Sequence, residues 1–131
     1  MTTDLWMLVA TAVFSLVWVL FYANARAIQP GGLSFGIGNR DKTIEVPAWV
    51  SRAVRAHQNL IENIAPFAIL VLVAHVAGKV NEMTALGATI FFYARIAHAV
   101  SYTMGIVYLR TIVFFAGVAG EVMILIQLFK S

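Results

Sequence analysis

The chain has no cysteine and few charged residues. Without cysteine it has no disulfide framework and no thiol nucleophile of its own, so a thiol in its chemistry has to come from a ligand. Only 11% of its 131 residues are charged, whereas soluble globular chains have about a quarter. This shortage excludes a soluble globule of this size. Together with a hydrophobic content of 61%, it predicts an integral membrane protein.

Two classes of partner have little support. The sequence has no His-x-x-His pair and no cysteine cluster, so no metal site is predicted. The formal net charge is +3, but apolar segments separate the basic residues from one another. Because they form no continuous basic patch, nucleic acid is not expected as a partner.

Four apolar segments are each near the roughly 20 residues that a helix needs to cross a bilayer. They run approximately over residues 5–27, 47–78, 83–104 and 110–129. We therefore predict an all-α, four-helix membrane bundle that forms a single domain over 1–131. The first segment contains Ala23-Asn24-Ala25, which resembles a signal-peptide cleavage site. No positive charge precedes it and the apolar run is too long for a signal peptide, so we expect a permanent span.

The basic residues predict an orientation. Five of the nine lie in the segment that runs from the end of the first span through the first loop to the first turns of the second span: Arg26, Arg40, Lys42, Arg52 and Arg55. Arg110 follows the third span. By the positive-inside rule, the first and third loops are cytoplasmic and both termini lie outside. Short termini without sorting signals make a bacterial inner membrane our first expectation.

Polar side chains form a stripe within the second and third spans. At about 100° per residue, the second span places four of them within roughly 80° of one another: Arg52, Arg55, Asn59 and Glu62. In the third span, Arg95, His98 and Tyr102 lie within about 60°. Arg26 ends the first span and Arg110 opens the fourth, so all four helices offer polar groups at one membrane depth.

Simpler interpretations exist for some of these residues. Arg26 and Arg52 are also consistent with arginines that mark the membrane edge, and Tyr102 with an interfacial anchor. Glu62 is also consistent with an ion pair to an arginine. Several arginines would remain after such a pair, and an unpaired charge at this depth costs several kcal/mol. A bound anion is the alternative that accounts for all of them.

The sequence resembles the membrane-associated proteins in eicosanoid and glutathione metabolism, the MAPEG family. The resemblance covers all four spans and is most specific in residues 52–67, RAVRAHQNLIENIAPF, followed by Ala94-Arg95-Ile96-Ala97-His98, Tyr102 and Arg110. Known members include microsomal glutathione transferases, leukotriene C4 synthase and prostaglandin E synthase. The resemblance implies a left-handed four-helix bundle that assembles as a homotrimer and binds glutathione between subunits.

The resemblance also implies roles for individual residues. Arg110 would lie next to the glutathione sulfur, assisted by Tyr102. The implied glutathione contacts are Arg26, Arg55, Asn59, Glu62, Arg95, His98 and Tyr102. These residue types suit the ligand, because glutathione carries two carboxylates, an ammonium group and a thiol.

The implied function is a membrane-bound glutathione transferase or peroxidase acting on a lipophilic electrophile or hydroperoxide. A non-catalytic lipid-binding scaffold of the same fold is the main alternative. A transporter is a weaker one, because the outer halves of the spans show only His75 and Glu121 as ionisable residues. In the trimer we expect the small residues Gly78, Ala85, Gly87 and Ala88 to permit close approach of a neighbouring subunit.

Overall fold

The computed structural model describes residues 1–130, and within them the chain forms helices and no strands. The helices are α1 (Thr3–Ala27), α2 (Gly32–Ile37), α3 (Ala48–Val76), α4 (Glu82–Met104) and α5 (Val107–Leu128). All except α2 are long and apolar enough to cross a membrane. The prediction of an all-α chain with four apolar helices is therefore confirmed. The domain predicted over 1–131 includes Ser131, which lies outside the described residues.

Local sequence explains where α4 begins. The side-chain oxygen of Asn81 accepts hydrogen bonds from the backbone N–H groups of Met83 and Thr84, at 2.8 and 3.2 Å. The Thr84 hydroxyl accepts one from the backbone N–H of Asn81, at 3.0 Å. This reciprocal capping box satisfies backbone donors that have no partner inside the helix.

The turn after α4 is shorter than predicted. Gly105 has φ +80°, a left-handed conformation that glycine adopts without strain and that commonly ends a helix. Its neighbour Ile106 caps the next helix, so α5 begins at Val107 rather than at 110. Arg110 consequently closes the first turn of α5, where its backbone N–H donates to the carbonyl oxygen of Ile106 at 3.2 Å.

Helix α4 packs against α1, α3 and α5. Its approach to α5 is close, because a Cβ on Gly87 would lie 2.6 Å from the carbonyl oxygen of Gly120. One turn further along α4, the rings of Phe91 and Phe67 stack with centres 3.9 Å apart. Gly87 and Ala88 are buried within the same chain. Their predicted contact with a neighbouring subunit is therefore wrong, because both are covered within one chain and α5 fills the space beside Gly87.

One end of the bundle, which we call the Arg52 end, gathers the polar residues. There the Nε of Arg52 donates to the carbonyl oxygen of Thr103 in the last turn of α4, at 2.9 Å. The indole N–H of Trp18 donates to the carbonyl oxygen of Ala53, at 3.1 Å, and joins α1 to α3. Arg52 thus links two helices and satisfies a carbonyl at a helix end.

Candidate functional site

Arg95 lies inside the bundle and is only 1% exposed. Its Nη1 donates to the side-chain oxygen of Asn59 at 3.3 Å, and its Nη2 donates to that of Asn63 at 3.2 Å. The guanidinium carbon lies 4.9 Å from the ring centre of Phe91 and 5.1 Å from that of Phe114. Hydrogen bonds and cation–π contacts from three helices thus offset part of the cost of burying this charge, while the Arg95 Nε has no hydrogen-bond partner among residues 1–130.

Helix α5 completes the surroundings of Arg95. A Cβ on Gly117 would lie 2.8 Å from the Arg95 Nη2, so the guanidinium would have to shift if alanine replaced this glycine. One turn further on, Glu121 has a buried Oε1 without a hydrogen-bond partner among residues 1–130. Asn59, Asn63, Gly117 and the two phenylalanines form what we call the Arg95 socket.

A second cationic group lies nearer the Arg52 end. The guanidinium carbon of Arg110 is 4.5 Å from the centre of the Tyr102 ring. The Tyr102 ring lies edge-on to His98 with centres 5.6 Å apart, and His98 is 6.1 Å from Phe114. We call Arg95, His98, Tyr102, Arg110 and Phe114 the arginine–aromatic cluster. It brings together five side chains from α4 and α5.

The chemistry of this cluster favours an anion. Both arginines present a guanidinium group, and Arg110 is only partly buried. A fixed positive charge next to a partly desolvated thiol stabilises the thiolate. The Tyr102 hydroxyl is an additional hydrogen-bond donor beside Arg110.

Three of the predicted ligand contacts lie away from this cluster in a single chain. Arg55 and Glu62 are exposed on α3, whereas Asn59 faces α4. Arg26, at the end of α1, stacks on Tyr22 and Phe35, with its guanidinium carbon 5.8 and 5.2 Å from their ring centres. The predicted stripe on α3 is thus divided, with one flank packed inside the bundle and the other exposed.

Sequence reasoning missed four residues of the Arg95 socket: Asn63, Phe91, Phe114 and Gly117. Two signals were available. Asn63 lies one turn beyond Asn59, about 20° around α3 from Arg52. Gly117 follows Arg110 by two turns, on nearly the same face of α5. The ring of Phe114 had no such signal, because apolar residues surround it in the sequence.

Comparison with known proteins places the chain in a family. The model of the MAPEG family matches residues 3–130. A prostaglandin E synthase from Equus caballus is 34% identical over 82 residues, which cover 62% of this chain and 48% of that relative. The match thus spans about half the length of the relative. No solved structure matches the chain. With its four apolar helices and a family match over nearly its whole length, the protein is an integral, multi-pass membrane protein that belongs to the MAPEG family.

Proposed function

We propose that the protein is a membrane-bound glutathione transferase or peroxidase. The observation that carries this proposal is the stacking of Arg110 on Tyr102 at 4.5 Å, beside the buried charge of Arg95. Membership of a glutathione-related membrane enzyme family supports it. The particular reaction that the protein catalyses and the acceptor substrate are also part of the proposal.

Arg110 activates the thiol in this proposal. A free thiol has a pKa of about 8.5 and is only a few per cent thiolate at neutral pH, and lowering that pKa by two units takes about 2.7 kcal/mol. The guanidinium of Arg110 supplies this stabilisation and Tyr102 orients it. The thiolate sulfur then attacks an electrophilic carbon, and the leaving group departs with its electron pair. With a hydroperoxide, two glutathione molecules become a disulfide while the hydroperoxide is reduced to an alcohol and water.

The remaining contacts bind the carboxylate, ammonium and amide groups of the tripeptide. Arg55 binds a carboxylate, Glu62 binds the ammonium group, and Asn59 and His98 bond polar groups along the backbone. Arg95 already donates to two asparagines. We therefore propose that it acts on glutathione mainly by its charge and by orienting the Asn59 amide.

A neighbouring copy completes this site. Arg55 and Glu62 are exposed, and in a single chain they would face lipid at a cost of several kcal/mol. A homotrimer, in which glutathione lies between these residues and Arg26 of the next copy, removes that cost. The proposed setting is a bacterial inner membrane with both termini outside and the site facing the cytoplasm.

The test uses purified protein in detergent with glutathione and an aryl halide. Arg110→Ala should lower turnover at pH 7 roughly 25-fold, because a two-unit rise in thiol pKa reduces the thiolate from about three quarters to a few per cent, and most of the ultraviolet absorbance of bound thiolate should be lost. Lys42→Ala, which removes an exposed loop cation, should change neither. Equal turnover in Arg110→Ala and the wild type would refute the proposed role. Binding of glutathione without any turnover would favour the non-catalytic scaffold.

A further inference from the structure

His57 lies within the membrane-spanning helix α3, and both of its ring nitrogens have a partner on α1. Its Nδ1 forms a hydrogen bond with the Tyr22 hydroxyl at 3.1 Å, and its Nε2 forms one with the Ser15 hydroxyl at 3.0 Å. A neutral imidazole has one donor and one acceptor nitrogen, so one hydroxyl donates to it and the other accepts from it. The proposed glutathione contacts include neither Tyr22 nor His57.

Helix packing alone does not account for this imidazole. Ionisable side chains inside membrane spans are costly and usually functional. The indole N–H of Trp18 already joins α1 to α3 through the carbonyl oxygen of Ala53. Apolar side chains could strengthen the same contact without the cost of placing a polar ring in lipid. The role of His57 therefore depends on what the Tyr22 ring contacts.

The ring that His57 holds carries a cation. The guanidinium carbon of Arg26, one turn along α1 from Tyr22, lies 5.8 Å from the centre of the Tyr22 ring. It also lies 5.2 Å from the centre of the Phe35 ring on α2. Of these two rings, Tyr22 has the hydroxyl that a hydrogen bond can fix in direction. Rotation of the Tyr22 ring would weaken the cation–π contact or move the guanidinium with it.

A similar arrangement occurs a second time in the chain. Arg110 lies 4.5 Å from the centre of the Tyr102 ring, and that ring lies 5.6 Å from the ring of His98. The rings of Tyr22 and His57 are 5.4 Å apart. An arginine thus lies on a tyrosine beside a histidine both at the end of α1 and at the start of α5.

We propose that Tyr22 and His57 are positioning residues for glutathione binding, because they set the direction of Arg26. This inference rests on the proposed function, in which Arg26 contacts glutathione bound by the neighbouring copy. Arg26 binds a carboxylate and does not touch the sulfur. A misdirected guanidinium therefore weakens binding of the ground state and the transition state alike. Loss of the Tyr22–His57 bond raises the KM for glutathione and leaves kcat unchanged.

Two substitutions of His57 provide the test. The side-chain amide of asparagine takes the place of the histidine Nδ1, whereas that of glutamine takes the place of Nε2. His57→Asn therefore keeps a partner for Tyr22, and His57→Gln keeps one for Ser15.

Steady-state kinetics with the aryl halide in detergent compare these variants with Tyr22→Phe and Ser15→Ala. The KM for glutathione should rise about fivefold in His57→Gln and Tyr22→Phe, as expected for the loss of one hydrogen bond, and stay within about twofold in His57→Asn and Ser15→Ala. The kcat should change little in any of them. Calorimetry without an acceptor gives the dissociation constant of glutathione for the same variants, so the comparison does not depend on turnover.

Thermal unfolding, monitored by circular dichroism, separates positioning from stability. His57→Asn and His57→Gln each lose one of two bonds and should lose similar stability, so a purely structural role predicts equal KM values. Equal KM values, or a kcat that falls in step with stability, would overturn the inference. Weak binding in Arg26→Ala with a wild-type KM in Tyr22→Phe would also overturn it and leave the proposed function intact. A wild-type KM in Arg26→Ala would remove Arg26 from the proposed site, and this inference with it.

Discussion

The guanidinium of Arg110 lies over the ring of Tyr102, 4.5 Å from its centre, across the turn that joins α4 to α5. The left-handed conformation of Gly105 keeps this turn short and brings the two side chains together. A cation–π contact of this kind is worth about 0.5–2 kcal/mol, depending on how far it is desolvated. The position of the proposed activating charge thus depends on the Tyr102 ring as well as on its hydroxyl.

Two substitutions at Tyr102 distinguish the contribution of the ring from that of the hydroxyl. Tyr102→Phe keeps the cation–π contact and should retain most of the thiolate absorbance of bound glutathione. Tyr102→Leu removes the ring and should lower that absorbance about tenfold, because a contact of about 1–2 kcal/mol no longer holds Arg110. Ultraviolet titration with glutathione measures both. If the two variants lose absorbance equally, the hydroxyl is the group that matters.

Whether Gly117→Ala stabilises or destabilises the protein should depend on the presence of the Arg95 side chain. In the wild type, a Cβ at Gly117 displaces the buried guanidinium, and such overpacking costs about 1–3 kcal/mol. Alanine also favours the helix over glycine by about 1 kcal/mol, so the net change is a loss of stability or nearly zero.

Gly117→Ala in an Arg95→Ala background should be stabilising, because the guanidinium that would collide with the added Cβ is absent. Unfolding in detergent, monitored by circular dichroism, measures the four proteins. An identical effect of Gly117→Ala in both backgrounds would show that the two side chains do not meet.

Asn63 and Arg95 should be energetically coupled. Asn63→Leu leaves a buried donor of Arg95 without an acceptor and should cost about 1–3 kcal/mol. In an Arg95→Met background the same change should cost much less, with a coupling energy of about 0.5–3 kcal/mol from the double-mutant cycle. Asn24→Leu is the control, since Asn24 is exposed and bonds a carbonyl of its own helix. Additive effects of the two changes would contradict the Arg95 socket.

Glu62 provides a test of the shared site. It is exposed in a single chain, so Glu62→Gln should not lower the thermal stability of the ligand-free oligomer. The affinity for glutathione, measured by calorimetry, should fall about tenfold or more, because the ammonium group loses a charged acceptor. Glu45→Gln removes an exposed loop carboxylate and should leave affinity unchanged. Lower stability with unchanged affinity would instead identify Glu62 as the partner of an arginine in the neighbouring copy.

Segment-level properties explain why much of the fold could be predicted. In lipid, a continuous apolar run near 20 residues satisfies its backbone only as a helix, so the four long helices follow from hydropathy. The start of α5 was the main difference, because Arg110 was taken as the membrane edge while Gly105 and the cap at Ile106 set the turn. The positions of Gly87 and Ala88 differed for another reason. Small residues permit close helix approach, but they do not reveal which helix approaches.

The sequence by itself determined four membrane helices, the arc of polar residues on α3 and α4, and the family, since these depend on spacing along one helix. Only the tertiary structure decided how that arc is divided. Asn59 and Asn63 turn inward to Arg95, while Arg55 and Glu62 stay exposed. The physical reason is that this division depends on how each helix is rotated and how closely it approaches its neighbours. No pattern within a single helix contains that information.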